Sequence, residues 1–205
     1  EYTDEKRVGA VITECTETIT REVAGLKAMV DEFSRFARLP ATRLDLANLN
    51  DVITQAAGLY VDRLDGVALT LNLDSELPSS MLDVEQIKRV FVNLIDNAVQ
   101  ALASANGEKQ ITIATRHDAE RSLLRAEVAD TGQGIEPEFL PRVFDRFRQA
   151  DSSTTRSFGG LGLGLAIVRH LVELHGGTVS AHSDGVNKGA TFSATFPLLA
   201  DRTEP

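Results

Sequence analysis

One amphipathic helix constrains the fold of this chain more than any other segment. Between about Asp83 and Ala103, apolar residues recur three or four positions apart, which predicts a helix with one buried face. Asparagine is a mediocre helix former, so two of them four residues apart call for an explanation. They are either part of a solvated polar edge or part of a row of donors and acceptors that faces a bound polar ligand. The full row of uncharged amides beside the apolar stripe is Gln86, Asn93, Asn97 and Gln100.

Two glycine-rich segments further along the chain favour the ligand interpretation. Asp130 ends a predicted strand and is followed by Gly132 and Gly134. A carboxylate there can accept a hydrogen bond from an exocyclic amine such as N6 of adenine, and the glycines let the backbone approach a ring closely. Residues 160–165 read Gly-x-Gly-x-Gly-Leu and open a helix, whose free N–H groups suit phosphates. Each pattern alone is weak evidence for a ligand-binding site. The amide helix and the two glycine-rich segments, taken together in this order, are strong evidence for one. A dinucleotide-binding fingerprint would follow a buried strand, whereas these glycines follow a polar loop.

Composition narrows the class of protein. The 205 residues, 42% of them apolar, suit one domain of moderate size or one domain with an appendage. The net charge of −9, without a basic run, argues against a nucleic-acid partner. The single cysteine, Cys15, fits a reducing compartment and is predicted to be a small apolar packing residue. No apolar run is long enough to span a bilayer, and the first residue is Glu. We therefore expect a cytoplasmic fragment, either of a soluble protein or of a longer membrane protein.

Residues 1–39 are predicted to form one long helix that ends at Pro40. A single helix cannot bury a continuous apolar seam, so we expect a partner helix or a second copy of the chain; the alternative is packing on its own domain. Residues 40–48 form a linker with a short strand near Leu44 to Leu46. The residues of the seam are Val8, Ile12, Cys15, Ile19, Val23, Leu26, Val30, Phe33 and Ala37.

The remaining chain predicts an α/β two-layer sandwich, a mixed sheet with helices on one face. Its first helix is capped by Asn48 or Asn50 and runs to about Leu64, and Asp83 caps the amide helix. A loop follows Pro78, and the polar connection 132–160 contains a short helix within 139–147. A last helix, 163–175, is apolar on nearly all sides and hence buried. The predicted strands are 67–73, 111–115, 123–129, 178–182 and 190–196, before a loose tail, 198–205.

Taken in order, these segments resemble the catalytic ATP-binding domain of a sensor histidine kinase, within the wider group of gyrase, chaperone, histidine kinase and mismatch-repair ATPases. The resemblance covers residues 44–197 and implies a Bergerat-type ATP-binding fold. Residues 1–39 resemble the second helix of the dimerisation and phosphotransfer bundle. Residues 29–38 look like nitrogen-regulation-type kinases, and residues 148–153 look like hybrid kinases. The matching motifs are an N box at Asn93–Ala98, a first glycine box at Asp130–Ile135, an F box at Val143–Phe147 and a second glycine box at Gly160–Leu165.

The resemblance implies roles for individual residues. Asn97 would hold Mg2+, Asp130 would read adenine, and Gly134 and Ile135 would line the base pocket. The catalytic set would be Asn93, Asn97 and Arg148. The polar connection 132–160 would form a lid over the nucleotide, from which Arg148 and Arg156 would reach the γ-phosphate. Gln100 stands where the family often has lysine, a stronger phosphate partner. The implied nucleotide site comprises Asn97, Gln100, Ala101, Asp130, Gly132, Gly134, Ile135, Phe147, Arg148, Arg156, Gly160, Leu161, Gly162, Leu163, Gly164 and Leu165.

Asn93 separates the activity classes. Hydrolytic relatives carry a general-base glutamate four residues before the metal asparagine, and an amide cannot accept a proton near neutral pH. The implied function is transfer of the γ-phosphoryl group of Mg-ATP to a histidine absent from this chain, for relay to the receiver domain of a response regulator. The acceptor helix would come from the same or a partner kinase chain, and the N-terminal helix could form a homodimer. The alternative is a nucleotide-sensing pseudokinase that signals through helix dimerisation. The chain's own histidines, His117, His170, His175 and His182, are predicted to be structural or surface residues.

Overall fold

The chain divides into two compact units, Glu1–Pro40 and Ala41–Pro205. The computed structural model describes residues 12, 13, 15–20, 23–25, 27, 41–61, 63–103, 105, 107–146 and 162–199. Within this described part, no helix is long and apolar enough to cross a membrane. The predicted end of the N-terminal helix at residue 39, the linker 40–48 and the limits of the ATP-binding domain at residues 44 and 197 stay predictions.

The described residues of the first unit are helical, and the predicted seam on them is open. Ile12, Ile19 and Val23 are 59%, 63% and 57% exposed. The prediction that Cys15 packs as a small apolar residue is wrong for the single chain, in which Cys15 is exposed, because one helix cannot enclose its own seam. The other predicted seam residues, and the helix end at Pro40, lie outside the described residues.

The second unit contains seven strands and three α-helices in its described part. A five-stranded mixed sheet has the strand order β2-β4-β5-β7-β6, in which only the β2–β4 pair is parallel, and β1 pairs with β3 as a separate antiparallel ribbon. In chain order the elements are β1 (Asp45–Ala47), α1 (Leu49–Gly58), β2 (Ala68–Asn72), β3 (Ser80–Leu82), α2 (Val84–Ala103), β4 (Gln110–Asp118), β5 (Leu123–Asp130), a 3-10 helix (Leu140–Arg142), α3 (Gly164–Leu174), β6 (Thr178–His182) and β7 (Ala190–Pro197).

The core lies between one face of the sheet and the three helices, which confirms the predicted two-layer sandwich. Alternate strand residues such as Ile111, Ile113 and Leu124 are fully buried, whereas Arg116 and Arg125 on the other face are exposed. The apolar stripe of α2 packs into this core, with Ile87, Phe91 and Ile95 fully buried. Burial of each such side chain contributes about 1.5–3 kcal/mol, so α2 is held by packing and not by helix propensity.

Two helix caps match the prediction. Asn48 accepts a hydrogen bond from the N–H of Asn50 at 2.8 Å, and Asp83 accepts one from the N–H of Gln86 at 3.0 Å. At the end of α3, the N–H of Gly177 bonds to the carbonyl of Val172, and Gly176 adopts φ +70°, which glycine tolerates without strain.

Four predicted elements differ from the structure. Helix α1 ends at Gly58 instead of Leu64, and Tyr60 is buried with its hydroxyl 2.7 Å from Asp96 Oδ1. The loop predicted after Pro78 contains β3, which pairs with β1. The short helix predicted within 139–147 is a 3-10 turn at Leu140–Arg142 in its described part. Helix α3 is not buried all round: Arg169 and Glu173 form an exposed i,i+4 ion pair at 2.8 Å.

Candidate functional site

Two of the predicted amides face the beginning of α3. Asn93 and Asn97 are one helical turn apart on α2 and are half-buried. A Cβ added to Gly164 would lie 3.2 Å from Asn93 Oδ1, and 3.8 and 4.0 Å from Asn97 Nδ2 and Oδ1. The fold therefore brings the N box and the second glycine box together, with the first residue of α3 against both amides.

The other two amides of the row do not share this environment. Gln86 is buried in the first turn of α2, where its Oε1 accepts a hydrogen bond from the Thr42 hydroxyl at 3.2 Å. Gln100 is exposed. The prediction of one continuous amide row facing a ligand is therefore wrong at Gln86, whose role is structural. The i, i+4 pattern identified a face of the helix but could not show where along that face a ligand would bind.

Asn97 has a polar atom with no partner among the described residues. Its Nδ2 is buried and unbonded, whereas Nδ2 of Asn93 donates to the carbonyl of Arg89 at 2.8 Å. Leaving a buried amide unpaired costs about 1–3 kcal/mol, so the Asn97 amide is a candidate contact for a group outside the described residues. A half-turn of the amide offers its oxygen instead, which is the ligand type that Mg2+ prefers.

Asp130 is a buried acid at the end of β5. It is 8% exposed, and its Oδ1 accepts a hydrogen bond from the N–H of Gly132 at 2.8 Å. Burial raises the pKa of this carboxyl above its usual range, an effect that hydrogen bonds from the backbone of Gly132 and Ala190 partly oppose. An ionised carboxylate has about four acceptor sites, so these two backbone bonds leave capacity that suits the exocyclic amine of a base.

Ala101 and Gly132 join these two parts of the site. A Cβ on Gly132 would lie 2.7 Å from the carbonyl carbon and from the Cβ of Ala101, and 2.7 Å from Asp130 Oδ1. The N–H of Gln133 donates to the carbonyl of Ala101 at 3.1 Å. Because Ala101 lies one turn beyond Asn97, the described residues form a continuous wall from Gly164 through the amides of α2 to Asp130.

The start of α3 has the features of an anion site. Leu163 is the N-cap residue of this 11-residue helix, and its side chain makes no capping hydrogen bond. The preceding Gly162 adopts φ +67°, a conformation that residues with a side chain rarely adopt. The N–H groups of the first turn have no partners within the helix, so with the helix dipole they suit the phosphates of a nucleotide.

A sequence profile described as "Histidine kinase-, DNA gyrase B-, and HSP90-like ATPase" matches residues 82–200, which is more than half of the chain. The chain belongs to this ATPase family. It is 32% identical to hybrid signal transduction histidine kinase D of Dictyostelium discoideum over 194 residues, which are 92% of this chain and 12% of that protein. It is 29% identical to the nitrogen regulation protein NtrY of Azorhizobium caulinodans over 202 residues, 95% of this chain and 25% of that protein.

A solved structure shares the fold. Full-length ShkA in complex with AMPPNP superposes with a TM-score of 0.70 at 26% identity, over 88% of this chain and 36% of that one. The resemblance to sensor histidine kinases is thereby confirmed, and relatives of both the hybrid and the nitrogen-regulation type are found. The chain spans only 12% and 25% of the lengths of the two curated relatives.

The remaining predicted residues of the ATPase site lie partly inside and partly outside the described part of the chain. Leu165 is half-buried in the first turn of α3. Gly134, with φ +67°, and Ile135 are half-buried beside the loop between β6 and β7. In the F box, Val143 is buried and the ring of Phe144 stands edge-on to Phe192, with centroids 6.2 Å apart. The predicted residues that lie outside the described part are Phe147, Arg148, Arg156, Gly160 and Leu161.

His175 is a structural residue, as predicted, but sequence reasoning missed that it aligns α2 and α3. The N–H of Asp83 donates to Nε2 of the buried His175 at 3.0 Å, so Nδ1 carries the hydrogen and donates to the carbonyl of Leu171 at 2.8 Å. This contact fixes the end of α3 to the start of α2, while Gly164 meets Asn93 at the other end. The two helices therefore run antiparallel. Asp83 and His175 are 92 residues apart in sequence, so no local pattern could predict this contact.

A groove of about 520 Å3 lies away from these residues, on the β4–β5 hairpin. Its described lining includes Arg116, Asp118, Arg125 and Glu127, and Arg125 pairs with Glu127 at 2.6 Å. None of the predicted nucleotide-site residues that the structure describes lines this groove.

Proposed function

We propose that this chain binds Mg-ATP and transfers its γ-phosphoryl group to a histidine on an acceptor helix, for relay to a response regulator. One observation carries the proposal: Asp130, the α2 amides and the open start of α3 form a continuous wall. The acid suits adenine and the helix start suits phosphates, so the wall fits one adenine nucleotide along its length. The complex of the similar ShkA with AMPPNP supports this ligand class.

The chain's own residues would bind and orient the nucleotide. Asp130 would accept a hydrogen bond from the adenine amine, and Gly132, which has no side chain, packs directly against Ala101 and so holds this acid beside α2. The donor set at Asn97 fits Mg2+, since a single hard amide oxygen suits an ion held mostly by phosphates and water. When bound, the ion would neutralise developing charge on the phosphates.

Asn93 supports transfer over hydrolysis. Its Nδ2 is already committed to the carbonyl of Arg89, and its Oδ1 cannot take up a proton near neutral pH. Water near the γ-phosphate would then lack a general base, and ATP would survive until an imidazole is supplied. We expect turnover by the isolated chain far below that of ATPases with glutamate at this position, and comparable turnover would refute this assignment. The lid roles of Arg148 and Arg156 rest on the family resemblance.

The partners follow from the same proposal. The acceptor helix would come from the same or a partner kinase chain, and the exposed seam residues Ile12, Ile19 and Val23 favour helix association, including a homodimer. Use of ATP and relay to a receiver domain place the proposed activity in the cytoplasm.

Calorimetric titration of Mg-ADP into the chain tests the site. We expect two variants each to weaken binding about tenfold or more. Asn97→Asp puts a negative charge beside the phosphates, and Asp130→Asn replaces one carboxylate oxygen, an acceptor, by an NH2 donor. Asn72→Asp and Asp65→Asn make the same chemical changes at exposed positions and serve as matched controls. If both site variants bind like the parent, the site assignment is wrong.

Phosphorylation of an acceptor helix in trans separates the kinase from the pseudokinase alternative. The parent chain, given labelled ATP, Mg2+ and a dimerisation bundle from a related kinase, should label the bundle, and a His→Ala bundle should stay unlabelled. Nucleotide binding with no transfer to any such bundle would favour a nucleotide-sensing module that signals through its N-terminal helix.

A further inference from the structure

The loop between β6 and β7, Ser183–Gly189, packs against the first glycine box and is hydrogen-bonded to it. Three N–H groups cross between the two segments: Gly189 donates to the carbonyl of Gly132 at 3.1 Å, Asn187 to that of Gln133 at 2.7 Å, and Ile135 to the Ser183 hydroxyl at 3.0 Å. The contact is close, since a Cβ on Gly134 would lie 2.1 Å from the carbonyl oxygen of Gly185.

Ser183 is the one side chain in this set of bonds. Its hydroxyl donates to the carbonyl of Gly189 at 2.6 Å and accepts from the N–H groups of Ile135 and Gly185 at 3.0 and 3.3 Å. A hydroxyl has one hydrogen and two lone pairs, so these three bonds use its full capacity. Gly189 in turn is packed against the carbonyl of Asp130, where a Cβ would lie 2.1 Å away. One hydroxyl thus links Ile135 to the backbone that supports Asp130.

We propose that Ser183 is a positioning residue for adenine recognition: its hydroxyl fixes Ile135 and the first glycine box relative to Asp130. This inference rests on the proposed nucleotide site. Without the hydroxyl, the N–H of Ile135 and the carbonyl of Gly189 lose their shared partner. The loop that would face the base can then move relative to the acid that would read it.

The test compares three variants by calorimetric titration with Mg-ADP, at a temperature where melting curves show each to be folded. Ser183→Ala should raise the Kd about five- to tenfold, because nucleotide binding must then reorder the loop that the lost hydrogen bonds held in place. Ser183→Thr keeps the hydroxyl and should bind within about twofold of the parent. Ser180→Ala, the same change at an exposed position of β6, should bind like the parent. If Ser183→Ala does not fold, the near-isosteric Ser183→Cys, a weak hydrogen-bonding group, should show the same loss.

The outcomes separate the two proposals. Binding by the parent tests the nucleotide site, and the ratio of variant to parent Kd tests Ser183. In the in-trans transfer assay, Ser183→Ala should raise the KM for ATP and leave kcat unchanged, because Ser183 touches no reacting group. A Kd for Ser183→Ala within twofold of the parent, or a Thr variant as weak as the Ala variant, would overturn the inference.

Discussion

Gly132→Ala probes the contact between α2 and the first glycine box. The new Cβ would lie 2.7 Å from two atoms of Ala101 and from Asp130 Oδ1, about 1 Å closer than carbon atoms normally pack. Neither neighbour can yield easily: Ala101 is in the last turn of α2 with its carbonyl bonded to Gln133, and Asp130 Oδ1 is bonded to the N–H of residue 132 itself.

Two opposing terms set the size of the effect. Overpacking in a site without room typically costs about 1–3 kcal/mol. Gly132 is not among the glycines with positive φ, so alanine can adopt its backbone conformation and gains about 0.4–1 kcal/mol from a more restricted unfolded chain. The steric term is larger, and we expect a net loss of about 1–2 kcal/mol in the free energy of unfolding. For a chain of this size that corresponds to a fall in Tm of about 2–8 °C.

Gly58→Ala is the matched control. It makes the same change at the end of α1, where a Cβ would meet nothing within 4 Å. Alanine is the better helix former there, so this variant should be as stable as the parent or more stable by up to about 1 kcal/mol. Urea unfolding followed by circular dichroism measures both. If Gly132→Ala is as stable as Gly58→Ala, the inferred contact between α2 and the first glycine box does not exist.

Two further predictions concern Asp130 and Tyr60. Burial raises the pKa of Asp130 above its ordinary value of 3.8, so its ionised form costs stability as the pH rises through the raised pKa. Without nucleotide, Asp130→Asn should therefore be more stable than the parent at neutral pH, and the difference in their free energies of unfolding should shrink towards pH 3.8. Urea unfolding at a series of pH values measures this difference. A difference that does not change with pH would contradict the prediction. Tyr60→Phe removes a hydroxyl that lies 2.7 Å from Asp96 Oδ1 and 3.2 Å from the carbonyl of Val92, and should cost about 1 kcal/mol. Burial and Asp96 raise the pKa of Tyr60, so this loss should be constant from about pH 6 to about pH 9, and a loss that changed in that range would identify another titrating group.

Local sequence patterns predicted the elements and the main motifs. The apolar period of α2, the caps at Asn48 and Asp83, and the order of the glycine boxes are all properties of short segments, and each corresponds to an observed element. The i, i+4 spacing placed Asn93 and Asn97 on one face, and the structure places Gly164 against that face. Short-range physics was sufficient here because each pattern reports on the environment of one helix or one turn.

Contacts between distant segments could not be predicted in the same way. Gln86 matched the amide period but bonds to Thr42, 44 residues away, and Tyr60 is directed towards Asp96 of another helix. The Ser183 hydroxyl meets Ile135 across 48 residues of sequence. The spacing of Gly185 and Gly189, which both adopt positive φ, indicates a tight loop at this point. The segment that packs against this loop depends on the strand order of the sheet, which local patterns do not show.

The most direct test of an adenine nucleotide bound between the α2 amides and Asp130 is NMR of the isotope-labelled chain titrated with Mg-ADP. We predict that the side-chain amide signals of Asn97 and the backbone N–H signals of Gly132 and Gly164 shift together with one Kd, while Arg116 and Glu127 in the β4–β5 groove stay unchanged. Shifts confined to that groove, with Asn97 and Gly164 unmoved, would contradict this placement.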